Sequence, residues 1–189
     1  MPAGRWKFYQ EWNNALFLHW KVSKEVLEQW VPAELEIDTH DDTAYVSGVL
    51  FEMNSIRPRM LPAVGSLSNF YEVNIRTYVK YGGKTGVYFL NIEASSWLFC
   101  EMAKMISGLP YQYADIQKSE GFYTSINTKT KSNLKATYEI GSQVTEKSGL
   151  DLWLTERYAL FQEDEKYINQ FELHHLEWEI HNASLNSFQ

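Results

Sequence analysis

The sequence predicts an α+β protein that is mainly β, folded as a curved antiparallel sheet or barrel with two or three helices. Three observations predict it. A long strand from Phe70 to Tyr81, whose residues 72–79 put Glu72, Asn74 and Arg76 on the face opposite Val73, Ile75 and Val79, reaches Gly82-Gly83-Lys84 and returns over Gly86 to Ile92, which is the pattern of a long hairpin. Aromatic residues make up 15% of the chain, with seven Trp, twelve Tyr and ten Phe, and large aromatics suit pleated, half-buried surfaces. Helical spacing is confined to a few short stretches.

Taken in order, Leu16-Phe17-Leu18-His19-Trp20 is an apolar run that reads as a buried strand carrying one histidine. Ser23 precedes a short helix in which Val26, Leu27 and Trp30 share a face, and Pro32 closes it. Thr43 to Met53 is strand-like through Tyr45, Val46, Val49 and Phe51. Arg57 to Ser68 carries prolines and a glycine and reads as a loop. After the hairpin, Ser95 or Ser96 caps a helix with Leu98, Phe99, Met102, Ala103 and Ile106 at helical spacing, ended by Gly108 and Pro110. Strands follow around Tyr113–Lys118, Gly121–Thr128 and Leu134–Gly141. A short helix near Gly149–Leu154 then precedes Tyr158–Gln162 and a last strand from Tyr167 to His181. No repeat or linker interrupts residues 1–189, so one domain is expected.

The formal charge of −7, with lysine and arginine scattered, opposes a phosphate backbone, so nucleic acid is not an expected partner. No apolar stretch reaches the length of a membrane span, and Met1 to Trp12 has no apolar leader core. The expectation is a cytoplasmic protein. The lone Cys100, in apolar company, reads as a buried inert thiol. His174, His175 and His181 lack ligand spacing, although His175 and His181 would share a strand face, so no metal is expected. P-loop, dinucleotide and nucleophile-elbow motifs are absent, and no cofactor is expected.

The candidate chemistry lies on the hairpin's first strand. Alternation puts Glu72, Asn74, Arg76 and Tyr78 on one face, opposite Val73, Ile75, Thr77 and Val79. One reading is a solvated face; the other is a cavity wall in which carboxylate and guanidinium hold each other ionised and bind a substrate anion. Arg57 and Arg59, stiffened by Pro58, form a possible anion clamp or pair with surface acids. His19 titrates near neutrality and joins Glu72 as a candidate catalytic acid or base. Tyr78 and Tyr111 are candidates to complete the hydrogen bonding.

Arg5-Trp6, the Leu16–Trp20 run, Leu35–Thr39, Ile56–Arg59, Phe70–Val79, Gly86–Phe89, Gly108–Tyr111, Leu154–Tyr158, His175 and Trp178 carry a resemblance along nearly the whole chain. In them the sequence resembles a YqjF-like family of uncharacterised conserved bacterial proteins, a domain of unknown function. The hairpin beginning at Tyr71 and Glu72, followed by a helix and a Gly-x-Pro turn, is more distantly similar to the acetoacetate decarboxylase superfamily. That likeness implies a curved sheet or barrel enclosing a pocket. In those decarboxylases two lysines follow the turn and the first forms a Schiff base; here Tyr111 and Gln112 stand in their places. Lys104, about one helical turn upstream, has no reason to face the pocket.

The resemblance turns the Glu72 row towards a cavity. The expected function is binding of a small carboxylate- or carbonyl-bearing molecule by Arg57, Asn74, Arg76, Tyr78 and Tyr111, without Schiff-base decarboxylation. The alternative is a non-catalytic binding or sensing protein for an apolar ligand. The residues leave catalysis open, and the aromatic content is compatible with a homodimer.

Overall fold

The computed structural model describes residues 5–164 and 167–189, so Met1–Gly4 of the segment read for a leader lies outside the described residues. The first half of the chain holds β1 (Phe8–Val22), α1 (Lys24–Leu27), β2 (Glu36–Ile37), β3 (Ala44–Pro58), α2 (Gly65–Ser68), β4 (Phe70–Tyr81) and β5 (Lys84–Ala94). The second half holds α3 (Trp97–Ser107), β6 (Tyr111–Tyr113), β7 (Asp115–Ser119), β8 (Phe122–Asn127), β9 (Ser132–Gln143), α4 (Gly149–Thr155), β10 (Ala159–Glu163), β11 (Ile168–Glu172) and β12 (His181–Phe188). The fold is mainly β, as expected, but it has four helices among the described residues where two or three are expected. The additional one is the single turn α2, inside the segment read as a loop, and α1 is also a single turn.

The larger sheet runs β1-β3-β4-β5-β10-β11, with β2 beside β4 and β6 beside β5; the smaller runs β12-β9-β8-β7. Most pairs are antiparallel, but β5 pairs parallel with both β6 and β10. The sheets do not close into a barrel. Closure requires the first and last strands to pair, whereas β1 and β11 remain ends of the order. The non-strand segment after β11 instead sends Trp178 across to β1, where its ring lies 5.3 Å from Phe17 and 6.1 Å from Trp12.

Three apolar clusters hold the layers together. On one face of the large sheet, Tyr45, Val49, Phe51, Met53, Tyr78 and Ile92 pack with residues of α3 and α4. On the other, Leu16, Leu50 and Val73 meet Ile116, Tyr123 and Ala136 of the small sheet. A third cluster joins Leu27, Val31 and Ile37 to Val79, Tyr88 and Phe161. β4 is therefore covered on both faces.

Gly86 marks the closest approach between strands. A methyl there would lie 2.5 Å from the Ala159 carbonyl oxygen and 2.7 Å from the Phe161 ring. Gly86→Ala is expected to lose about 1–3 kcal/mol by forcing β10 away from β5. The measurement is the urea midpoint, and an unchanged midpoint would contradict this packing.

Several elements differ from expectation. Ser23 occupies the N-cap of α1 without a side-chain hydrogen bond, and only Leu27 of the predicted face is buried; Val26 and Trp30 project outwards. In α3 the roles split: Ser96 caps it by accepting from the Phe99 amide, while Ser95 accepts from the Tyr71 amide on β4. Phe99, Cys100 and Ala103 face the core, whereas Leu98, Met102 and Ile106 are exposed, because the core touches a narrower stripe than the apolar spacing offers. Burial pushes the Cys100 thiol up to about 11, the behaviour of an inert thiol. The predicted last strand is two strands separated by irregular chain. His175 consequently stacks on Tyr158 at 4.6 Å while His181 opens β12 against Gln143, and the two do not share a face.

Candidate functional site

β4 bonds to β3 on one edge and β5 on the other, so its side chains have only the two covered faces to occupy. Glu72, Asn74, Arg76 and Tyr78 all turn into the cluster beneath α3 and α4, with exposures of 1%, 0%, 5% and 0%. The solvated-face reading is excluded. Register places Phe51 opposite Glu72, Val49 opposite Asn74 and Ser47 opposite Arg76; Phe17 and His19 of β1 stand opposite Val49 and Ser47. Tyr111 of β6 comes alongside Ile92, the β5 partner of Asn74.

At one end of the row, Glu72 accepts from Tyr111 Oη at 3.1 Å and from Asn74 Nδ2 at 3.4 Å. Burial pushes its carboxyl up to about 8, although both hydrogen bonds favour the charged form. Burial, reinforced by the nearby Glu72 charge, also pushes the Tyr111 phenol well above its ordinary value. At the other end, Arg76 donates to the Leu154 carbonyl at 3.4 Å, and its guanidinium carbon lies 5.6 Å from the Phe17 ring. Glu72 and Arg76 form no ion pair. Four residues of extended chain separate their Cα atoms by about 13 Å, so the expected mutual ionisation does not arise.

The two buried arginines beside Tyr78 are neutralised unequally. Arg157 donates to Asp38 Oδ2 at 2.7 Å and lies 4.9 Å from the Tyr78 ring. Among the described residues Arg76 has no carboxylate within ion-pair distance, and its Nε lacks a hydrogen-bond acceptor. Asn74 Oδ1, Trp12 Nε1 and Arg157 Nη2 are buried without partners as well, so the two arginines differ in having an acid partner and not in having an unbonded nitrogen. Trp12 stacks on Phe51 at 4.1 Å, which brings its ring to the row. By contrast Glu93, another buried acid, is saturated by Ser125, Asn127 and Ser132 at 2.5, 3.0 and 3.1 Å. That cluster joins the two sheets.

His19 Nδ1 lies 2.6 Å from Ser47 Oγ, which lies 2.6 Å from Tyr78 Oη, and Tyr78 donates to the Leu154 carbonyl at 3.0 Å. Burial lowers the His19 pKa to about 4, aided by the positive charge of Arg76 and opposed by Asp151. The imidazole is therefore neutral at physiological pH.

Of the expected site residues, the structure gathers Glu72, Asn74, Arg76, Tyr78, Tyr111 and His19 on one face. Arg57 is not with them. Ser55 adopts φ 56°, and this bulge shifts the alternation so that Ile56 joins the core. Arg57 instead lies over the Tyr9 ring at 4.3 Å. Ser47 and Trp12, missed by the sequence reading, belong to the group; only the pairing of β1 with β3 reveals them. Two open grooves of about 520 and 510 Å³ lie elsewhere, around Lys80–Thr85 and around Glu34–Ile37, and no residue of the row lines either. Lys104 is paired with Glu101 at 2.9 Å on the outside of α3. Among the described residues no cluster of three or more metal-ligating side chains occurs, and no helix is long and apolar enough to cross a membrane.

Residues 9–189 match DUF2071, a family described as an uncharacterized conserved protein. The chain belongs to this family. It is 37% identical to the uncharacterized protein YqjF of Bacillus subtilis, covering 97% of this chain and 78% of that protein. Its fold is similar to acetoacetate decarboxylase from Legionella pneumophila, with a TM-score of 0.64 at 14% identity over 98% of this chain and 79% of the other. The enduracididine biosynthesis enzyme MppR, solved with pyruvate, gives a TM-score of 0.58 at 12% identity over 90% and 70% of the two chains. An acetoacetate decarboxylase-like enzyme from Sphingomonas wittichii gives 0.56 at 14% identity over 82% and 64%. At these identities the likeness is one of fold. DUF2071 membership assigns no reaction.

Proposed function

We propose that the β4 row of this DUF2071 protein binds a small molecule bearing a carboxylate or carbonyl group, with Arg76 as the anion anchor. The observation that carries this reading is the unequal treatment of the two buried arginines. A guanidinium removed from water without an acid partner is costly, and Arg157 shows that this core supplies a partner where the charge is structural. An anionic ligand would neutralise Arg76 and give its unbonded Nε an acceptor. Glu72, held largely neutral, offers a proton or hydrogen bond at the far end of the row. No lysine stands at Tyr111 or Gln112, and Lys104 is engaged by Glu101, so the proposed chemistry excludes a Schiff base.

A second reading, an apolar ligand held without catalysis, draws support from Trp12, Phe17 and Trp178 beside the row. Thermal-shift measurements against keto acids, hydroxy acids and lipophilic molecules separate the two. Small acids are expected to raise Tm in a concentration-dependent way. Stabilisation by lipophilic molecules alone would replace the first reading with the second.

A further inference from the structure

The protons along His19, Ser47 and Tyr78 can be placed from the geometry. The Leu154 carbonyl only accepts, so the Tyr78 hydroxyl proton points to it and the Tyr78 oxygen is left to accept from Ser47. Ser47 has one proton, directed at Tyr78, and so its oxygen accepts from His19 Nδ1–H. A neutral imidazole carries one ring proton. With that proton on Nδ1, Nε2 keeps its lone pair, and no described residue donates to it.

The same end of the site holds Arg76, which stands in register with Ser47 on the neighbouring strand and whose charge is felt by His19. Phe17 neighbours both, 6.2 Å from the His19 ring and 5.6 Å from the Arg76 guanidinium. The charged and titratable groups around His19 are Arg76 and Tyr78 from β4 and Asp151 from α4. This end therefore offers one cation and one neutral acceptor, and Asn74 Oδ1 adds a second unpartnered acceptor further along β4.

We infer that the site selects a hydroxy acid over the corresponding oxo acid: Arg76 takes the carboxylate, and His19 Nε2, fixed as an acceptor by Ser47 and Tyr78, takes the hydroxyl proton in a hydrogen bond. This rests on the anion-site reading above and names its ligand class. An oxo acid presents a carbonyl lone pair to Nε2 and gains nothing there, while an acid lacking the oxygen leaves Nε2 unpaired. Ser47 and Tyr78 act as positioning residues.

Calorimetric titration with lactate, pyruvate and propionate tests the inference. Lactate is expected to bind about tenfold more tightly than either of the others, the worth of one hydrogen bond made rather than missed. His19→Phe should level the three affinities while leaving carboxylate binding in place. Long-range proton–nitrogen NMR of the ligand-free protein gives an independent reading: His19 Nε2 should be unprotonated in the wild type, and Ser47→Ala should release the tautomer. Pyruvate binding as tightly as lactate, a preference that survives His19→Phe, or a protonated Nε2 would overturn the inference while sparing the anion site. Failure of all three acids to bind would overturn both.

Discussion

Raising the pH from about 4.5 to about 8 is expected to strip several kcal/mol of folding stability from the protein through Glu72 alone. The sign follows from where the proton is bound. Burial lifts the folded-state pKa of Glu72 from 4.5 to about 8, so between these values the folded chain holds a proton that the unfolded chain has released. Stability therefore falls with rising pH across that window, is fully present below it, and falls no further from this group once the folded carboxyl is ionised. Glu72→Gln keeps an acceptor for Tyr111 and removes the titration. The variant should be more stable than the wild type above pH 8 and should lack the descending limb in a pH series of urea unfolding curves. His19, with its pKa lowered from 6.5 to about 4, adds stability with rising pH over the lower part of this window in both proteins. The difference between wild type and Glu72→Gln therefore carries the test: a difference that stays flat between pH 5 and 8 would show that Glu72 does not sit as a buried acid.

Arg76→Met is expected to stabilise the ligand-free protein by about 1–4 kcal/mol, because an apolar side chain of similar reach replaces a buried charge that no acid among the described residues neutralises. The same variant should lose all stabilisation by small carboxylates. Arg157→Met is the control with the opposite sign. It leaves Asp38, which is 3% exposed, with Lys80 at 3.0 Å as its one cation among the described residues, and should destabilise the fold. Chemical denaturation of the two variants side by side checks the contrast. Equal destabilisation would mean that Arg76 is a structural charge like Arg157.

The hairpin and the inward row were legible because β4 obeys a strict alternation and ends in a glycine turn. The periodicity reports only that Glu72, Asn74, Arg76 and Tyr78 share a face; the resemblance to the decarboxylase fold selects the covered one. What the sequence hid depends on non-local pairing. Ser47 becomes part of the site because β1 and β3 pair with His19 opposite it, and one chain carries no mark of that register. Arg57, read as part of a loop, stands at the end of β3, where the left-handed Ser55 shifts the alternation; Ser55 has none of the glycine signal that flags a bulge. In α3 the apolar spacing is real, but Leu98, Met102 and Ile106 find no layer to cover them. The last strand was read through a break at residues 173–180, where Trp178 leaves the sheet to pack on β1.

Everything functional turns on Arg76 as an anchor for an organic anion. Titration calorimetry of lactate into the wild type and into Arg76→Met addresses it directly. Saturable binding to the wild type that vanishes in a folded Arg76→Met protein is the predicted result. Binding of equal strength to both proteins would contradict it.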